Sequence, residues 1–236
     1  MHFKKHIPNL LTLCNALCGC VGISLIAEGQ IIIACWLVFV ALFFDFFDGF
    51  VARLLNVKSE IGKQLDSLAD AITFGVLPAF IAQNLWTRTA STDFFIYFPF
   101  ILALFSILRL AKFNIDTRQS DSFIGIPTPA NAMLWASFPL ILHYQNSFFS
   151  EEILTNSHFL MPMIVLMSFL LVAEIPLFAL KFKDFSWRNN QMKYTFLLVS
   201  FLALLVLQFW AIPVIILLYV VFSFLMQFLE TKSLKK

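Results

Sequence analysis

Four aspartates, Asp45, Asp48, Asp66 and Asp70, lie inside strongly apolar sequence at intervals of three or four residues within each pair. Such intervals place side chains on one face of a helix, so each pair forms a carboxylate stripe. A carboxylate in lipid is costly unless it is paired or hydrated. Oxygen-only ligands suit hard divalent cations such as Mg²⁺ or Mn²⁺. The aspartates therefore predict a metal-dependent site at a membrane.

The neighbours of the aspartates suit a ligand that carries phosphate. Gly49 and Ala52 continue the first stripe with Arg53 at its edge, and Gly62 opens the second stripe. Small residues let a flat ligand approach closely, and a guanidinium pairs with phosphate through two hydrogen bonds. Two metals with one arginine are a recurring arrangement for phosphoryl transfer.

Two other interpretations of these residues stay open on the residues alone. The carboxylates would have a purely structural role in helix packing if each were paired with Lys or Arg. Alternatively, they would line a proton or cation pathway in a transporter, because intramembrane acids also build such relays.

The composition indicates an integral membrane protein. Hydrophobic residues make up 60% of the chain and charged residues 13%, which is unlike a soluble domain. A spanning helix needs about 20 apolar residues. Eight stretches qualify: Asn9–Ala27, Ile31–Val51, Leu65–Leu85, Phe94–Ala111, Pro129–Tyr144, Phe159–Leu180, Tyr194–Trp210 and Ile212–Leu229. We predict an all-α polytopic bundle of about eight transmembrane helices, and residues 1–236 form a single membrane domain because no polar linker interrupts them.

The basic residues predict the orientation. If the N-terminus lies inside and every stretch crosses, Arg88 is the only Lys or Arg of the sequence on the outer side. The positive-inside rule then places both termini and the aspartates on the cytoplasmic side. The last two stretches are separated only by a corner at Trp210–Pro213, so a re-entrant hairpin is the alternative for them.

The run from Asp45 to Asp70 resembles the signature of the CDP-alcohol phosphotransferases, D-x2-D-G-x2-A-R-x8-G-x3-D-x3-D, and matches it at every fixed position. The resemblance implies a homodimeric membrane enzyme with a six-helix core, which moves a substituted phosphate from a CDP-linked donor to an alcohol and releases CMP. Residues 1–180 would form this catalytic core, and residues 194–229 would add two C-terminal helices.

The resemblance also implies a role for each motif residue. Two divalent ions, Mg²⁺ or Mn²⁺, would be bound by Asp45, Asp48, Asp66 and Asp70. Asp70 would also be the catalytic general base for the acceptor hydroxyl. The CDP-binding residues would be Asp45, Asp48, Gly49, Ala52, Arg53, Gly62 and Asp66.

Further stretches resemble the branch of this family that transfers a phosphatidyl group from CDP-diacylglycerol to L-serine. Ile7–Leu13 is similar to the opening of the phosphatidyl-transferring enzymes. Arg109–Asn114 reads RLAKFN where the serine-using branch usually reads RLARFN, and Gly125–Ala130 reads GIPTPA where it usually reads GLPSPA. The replacements keep charge or size. The resemblance covers the first 135 residues well, and the rest matches only as hydrophobic helices.

Arg109, Lys112, Asn114 and Thr128 are the candidate ligands of the acceptor or of the lipid phosphate. Anchoring at a cytoplasmic helix end is the alternative for the two cations, and helix or turn capping is the alternative for the other two. The expected partners are CDP-diacylglycerol, L-serine, membrane lipid and a second copy of the chain, with no nucleic acid. The expected location is the bacterial cytoplasmic membrane. Glycerol 3-phosphate or an inositol compound is the alternative acceptor.

Overall fold

The bundle is almost entirely helical in the computed structural model, which describes residues 6–57, 59–88, 94–116, 122–178 and 186–233. The elements in chain order are α1 (His6–Ala27), α2 (Ile31–Leu54), α3 (Glu60–Asp70), a π-helical segment (Ala71–Val76), α4 (Leu77–Trp86), a 3-10 segment (Phe94–Phe100), α5 (Ile101–Ile115), β1 (Ser122–Ile124), α6 (Thr128–Tyr144), α7 (Phe148–Leu154), α8 (Ser157–Val172), β2 (Pro176–Phe178), α9 (Trp187–Leu207), a 3-10 turn (Gln208–Trp210) and α10 (Ala211–Ser233). The predicted helical class is confirmed. The sequence did not predict the short antiparallel pairing of β1 with β2, in which Phe123 faces Leu177.

Several helices have the length and composition of membrane spans. Within the described residues five stretches qualify: His6–Ala27, Ile31–Leu54, Glu60–Trp86, Phe95–Ile115 and Asn190–Leu225. A sixth qualifies if α7 and α8, which are bent by 59° at their junction, form one broken span. An integral membrane protein is therefore supported, while eight crossings stay a prediction.

One predicted stretch, Phe159–Leu180, extends beyond its helix. α8 ends at Val172, and Ala173 already has extended backbone with ψ 137°. Pro176 follows shortly, and it lacks the N–H that a continuing helix would need. The chain instead enters β2, which leaves Glu174 in the loop that joins α8 to β2.

The two C-terminal helices fold back on each other. The ring of Phe196 on α9 contacts the rings of both Tyr219 and Phe222 on α10, as expected for antiparallel neighbours. The chain reverses at Gln208, which has a positive φ of 51°. Gln145 at the end of α6 fixes this reversal, because its side chain donates to the carbonyl of Leu207 at 3.1 Å and accepts from the N–H of Phe209 at 2.8 Å.

Two clusters of buried side chains hold the bundle together. One surrounds Trp135 and Phe138 on α6, and the other joins α1, α2 and the π-helical segment around Val38 and Phe74. Lipid tails are as apolar as these side chains, so close packing stabilises the helices more than exclusion from water does.

The helix that carries Asp66 and Asp70 continues through a π-helical turn into α4. Pro78 lies in the first turn of α4. Its ring would clash with the carbonyl four residues earlier in a regular helix, and a wider turn relieves such a conflict. The aspartate pair therefore belongs to one continuous span of the bundle.

α1 is the central scaffold of the site. It packs closely against both α2 and α3. The two acidic helices also face each other through their carboxylates, as their spacing predicts. Gly19 lets α1 approach the π-helical segment closely, because a Cβ there would lie 2.5 Å from Thr73 Oγ1 and 2.9 Å from Thr73 Cα.

We expect Gly19→Ala to lower the free energy of unfolding by about 1–3 kcal/mol, because the added methyl group meets backbone that cannot easily move. Thermal unfolding of the purified protein in detergent would measure this as a lower Tm. Cys20→Ala, at the exposed neighbouring position, is the control and should change the Tm little. Alanine has a higher helix propensity than glycine, so without a clash Gly19→Ala would raise the Tm. A raised Tm would therefore contradict the close contact.

Candidate active site

The four predicted aspartates converge at one end of the bundle. Carboxylate oxygens of Asp45, Asp48 and Asp66 lie within 4.8 Å of one another. The carboxyl group of Asp70, one turn beyond Asp66, interacts directly with that of Asp45. The spacing argument thus predicted both stripes correctly, and the fold brings them together.

No salt bridge joins these aspartates to a cation among the residues that the structure describes, although Asp48 and Asp70 are buried. Packing by paired charges, the first alternative interpretation, therefore finds no support there. Clustered carboxylates without counter-charge repel one another. A divalent cation fits this donor set, since its oxygen ligands are already gathered.

α1 supplies hydrogen-bond donors to the cluster. The Thr12 hydroxyl donates to Asp48 Oδ2 at 2.6 Å, and Asn15 Nδ2 donates to Asp70 Oδ1 at 3.2 Å. Asn15 is itself tied down, because the hydroxyl of Thr73 donates to its backbone carbonyl at 2.9 Å. Thr12 and Asn15 are both buried. They therefore fix the orientation of one carboxylate from each acidic helix.

The sequence contained a signal for these two residues that the predicted site omitted. Asn9, Thr12 and Asn15 recur every third residue in an otherwise apolar helix, which marks one polar face. Their partners were not predictable, because periodicity identifies a face without identifying its neighbour.

The position of Gly62 leaves no room for a side chain. Ser59 caps α3 by accepting the N–H of Gly62 at 3.0 Å. A Cβ on Gly62 would lie 2.9 Å from Ser59 Oγ and 3.2 Å from Asn9 Oδ1. The cap and the contact with α1 thus account for the glycine, and its role in CDP binding stays a prediction.

Gly49 has a different environment. A Cβ there would have only Arg53 Nη1 within 4 Å, at 3.8 Å. Arg53 is exposed, and Ala52 is half-buried beside it. The α2 stripe beyond Asp48 therefore borders open space, which leaves room for a ligand beside the carboxylates.

Arg109 connects the aspartates to a second group of predicted residues. It is only 8% exposed, and its Nη1 donates to Thr128 Oγ1 at 3.1 Å. Its Nε is buried without a hydrogen-bond partner. The guanidinium interacts electrostatically with Asp70 and with Tyr219 of α10. Anchoring at the membrane surface does not explain so buried a cation.

The remaining predicted acceptor residues have separate environments. Asn114 Nδ2 donates to Ser67 Oγ at 2.8 Å, and the Asn114 carbonyl accepts from Lys63 Nζ at 3.0 Å. Asn114 therefore ties the end of α5 to α3, and its role as a ligand of the acceptor stays a prediction. Lys112 is exposed, and it borders a cleft next to Arg109.

Comparison with known proteins identifies the family. Residues 5–225 match the sequence profile described as CDP-alcohol phosphatidyltransferase. The chain belongs to this family. The resemblance drawn from the aspartate motif is thereby confirmed, and so is membership among enzymes rather than transporters.

Similar proteins within the family carry serine-related names. A CDP-diacylglycerol–serine O-phosphatidyltransferase of Helicobacter pylori strain ATCC 700392 / 26695 is 36% identical over 208 residues, which are 84% of this chain and 80% of the relative. The protein of that name from Bacillus subtilis strain 168 is 37% identical over 136 residues, 55% of this chain and 72% of the relative. An archaetidylserine synthase of Methanothermobacter thermautotrophicus is 38% identical over 152 residues, 61% of this chain and 60% of the relative.

The repulsion within the aspartate cluster gives a test that does not depend on activity. In EDTA, Asp66→Asn should raise the Tm by about 2–6 °C, because it removes one of several like charges held in contact. Mn²⁺ should raise the Tm of the unsubstituted protein and raise that of the variant much less. Both effects would be read from thermal unfolding in detergent.

The control for this test is Glu152→Gln, which removes an exposed carboxylate from α7 and should change neither Tm. An Asp66→Asn variant that is destabilised in EDTA, or stabilised by Mn²⁺ as strongly as the unsubstituted protein, would remove Asp66 from the metal site.

Proposed function

We propose that this protein transfers the phosphatidyl group of CDP-diacylglycerol to L-serine in a reaction that requires divalent metal ions, giving phosphatidylserine and CMP. One observation supports the proposal: Asp70 contacts Asp45 of the carboxylate cluster and also interacts electrostatically with buried Arg109, which donates to Thr128. The names of the relatives in several bacteria support the acceptor.

The carboxylate cluster forms the donor half of the proposed site. Asp45, Asp48 and Asp66 bind the metals, with Asp70 at the edge of the cluster. These carboxylates would hold divalent ions beside the diphosphate, and the ions would supply positive charge to stabilise the leaving CMP. The open space along Gly49, Ala52 and Arg53 accommodates CDP, with the Arg53 guanidinium paired to the diphosphate.

Asp70 acts as the general base in the acceptor half. Its carboxylate takes the proton from the serine hydroxyl, and the freed oxygen attacks the phosphorus that bears the diacylglycerol. The bond from that phosphorus to the CMP oxygen breaks. Asn15 donates to Oδ1 of Asp70 and thereby orients the carboxylate.

The membrane arrangement is part of the proposal. Eight crossings would place both termini and the active site on the cytoplasmic side of a bacterial cytoplasmic membrane, where CDP-linked lipid and serine meet. The supporting cations Lys4, Lys5, Lys58, Arg118, Lys181, Lys183, Lys235 and Lys236 lie outside the described residues. A homodimer is expected from the family.

We further propose that residues 1–180 form the catalytic core and that residues 194–229 complete it. Tyr219 of α10 interacts electrostatically with Arg109, and α10 also packs against α6 and β2. These contacts support a place for α10 beside the site.

Release of CMP from CDP-diacylglycerol by the purified protein in detergent would test the reaction. L-serine, glycerol 3-phosphate and myo-inositol would be supplied separately with Mg²⁺ or Mn²⁺, and EDTA would serve as the metal-free control. We expect metal-dependent release with serine alone. Release with another acceptor would overturn the assignment of serine, and no release by folded protein would overturn the reaction.

Asp70→Asn should lower turnover by about 10²–10⁴-fold, because an amide cannot take the hydroxyl proton. The variant should fold and should still bind Mn²⁺, which electron paramagnetic resonance can count. Glu152→Gln on α7 is the matched control and should keep full turnover. Near-normal turnover of Asp70→Asn would exclude Asp70 as the base.

A further inference from the structure

The Thr128 side chain is fully buried, and its hydroxyl contacts a cation. Its Oγ1 accepts from Arg109 Nη1 at 3.1 Å, and its exposed fraction is 0%. Helix capping, the alternative role for Thr128, does not account for this hydroxyl, because Pro127 occupies the N-cap of α6 and Thr128 is already the first helical residue. Thr128 therefore offers no surface to a substrate, and any part that it has in the reaction must pass through Arg109.

The segment that leads into α6 fixes the position of Thr128. Ile126 N–H donates to the carbonyl of Leu170 at 2.9 Å. Gly125 has a positive φ of 73°, and a Cβ there would lie 2.6 Å from a carbonyl oxygen near the end of α8. Only glycine fits this approach. Thr128 therefore starts α6 from a backbone that is anchored to α8.

Arg109 is carried in a fixed register past the continuous span that α3, the π-helical segment and α4 form. At one end of the contact, a Cβ on Gly75 would lie 3.1 Å from Ser106 Cβ. At the other end, Asn114 Nδ2 donates to Ser67 Oγ at 2.8 Å. The later residue of α5 thus meets the earlier residue of the span, so the two run antiparallel. Arg109 lies between these contacts, alongside the part of the span that carries the proposed general base.

The Arg109 side chain is long and carries its charge into the interior, where a charge must be paired and hydrogen-bonded. It is only 8% exposed. Its guanidinium interacts electrostatically with Asp70 and Tyr219, and its Cζ lies 5.3 Å from the centre of the Phe113 ring. These interactions depend mainly on distance, whereas a hydrogen bond to Nη1 also fixes a direction. The Thr128 hydroxyl therefore orients the guanidinium.

We infer that Thr128 is a positioning residue for the transfer reaction, because its hydroxyl holds the Arg109 guanidinium in the orientation that it has beside Asp70. This inference rests on the proposed function and adds a residue that acts on the acceptor half of the site through another side chain. Displacement of a charged group beside the reacting hydroxyl lowers the rate even when no contact with substrate is lost.

The test uses Thr128→Val, which has nearly the same shape and no hydroxyl. The kcat/KM for L-serine, from CMP release, should fall about 10–100-fold, because the guanidinium is no longer held in place. Thr128→Ser restores the oxygen and should restore most of the loss. If Thr128→Ser is as slow as Thr128→Val, packing of the methyl group matters instead, and the inference is overturned.

The matched control is Ser137→Ala, which removes another buried hydroxyl from α6. That hydroxyl donates within its own helix, to the carbonyl of Leu134 at 2.7 Å. Ser137→Ala should therefore leave the kcat/KM for serine unchanged.

A double-mutant cycle identifies the side chain through which Thr128 acts. Arg109→Met keeps much of the length of the side chain without its charge or its donors. Adding Thr128→Val to Arg109→Met should then lower kcat/KM much less than Thr128→Val does alone. Fully multiplicative effects would overturn the inference, because Thr128 would then act independently of Arg109. Normal turnover of Arg109→Met alone would overturn it as well.

A purely structural role for Thr128 would give a different result. The Tm of Thr128→Val would fall, while the folded protein recovered by gel filtration would keep its kcat/KM, and this outcome would overturn the inference. Thr128→Ala provides a second variant without the hydroxyl if Thr128→Val does not fold. Failure of the unsubstituted protein to release CMP with serine would overturn the proposed function instead, so the two failures are distinguishable.

Discussion

The mutual repulsion of four carboxylates within an apolar bundle is the constraint on which the rest of this structure depends. Asp45, Asp48 and Asp66 are held within 4.8 Å, and the described residues offer them no cationic partner. The donors from α1 are neutral: the Thr12 hydroxyl donates to Asp48, and the Asn15 amide donates to the neighbouring Asp70. Neutral donors orient carboxylates without cancelling their charge, which suits the proposed roles in metal binding and proton transfer.

This constraint explains why α1 must lie so close to the acidic helices. Hydrogen bonds of about 3 Å require backbones to approach within the reach of short side chains. Gly19 permits this, since any side chain there would strike Thr73. The π-helical turn serves the same end, because it carries the chain past Pro78 while Asp66 and Asp70 keep their positions. Residues remote from the chemistry therefore hold the carboxylates in place.

The sequence predicted the parts of the site that depend on helical periodicity. The two stripes of aspartates converge as their spacing indicated, whereas the hydrogen bond from Arg109 to Thr128 was not predicted. The sequence did not predict that α1 packs against both α2 and α3 and donates hydrogen bonds to their carboxylates, because periodicity says which residues share a face and not what that face contacts. The end of α8 was missed for a related reason, because Phe159–Leu180 read as one apolar stretch although the helix ends at Val172.

Asp70 is where the two halves of the site meet, and its contacts explain how one carboxylate can serve both. It contacts Asp45 of the carboxylate cluster and interacts electrostatically with Arg109, while Asn15 donates to one of its oxygens. Proton transfer needs a base within hydrogen-bond reach of the hydroxyl and close to the point of attack. A carboxylate that belonged to the cluster alone would be satisfied by metal, and one that lay beside Arg109 alone would be far from the diphosphate. The position between them meets both requirements, which is why the folding of α1, α3 and α5 around this residue determines the chemistry.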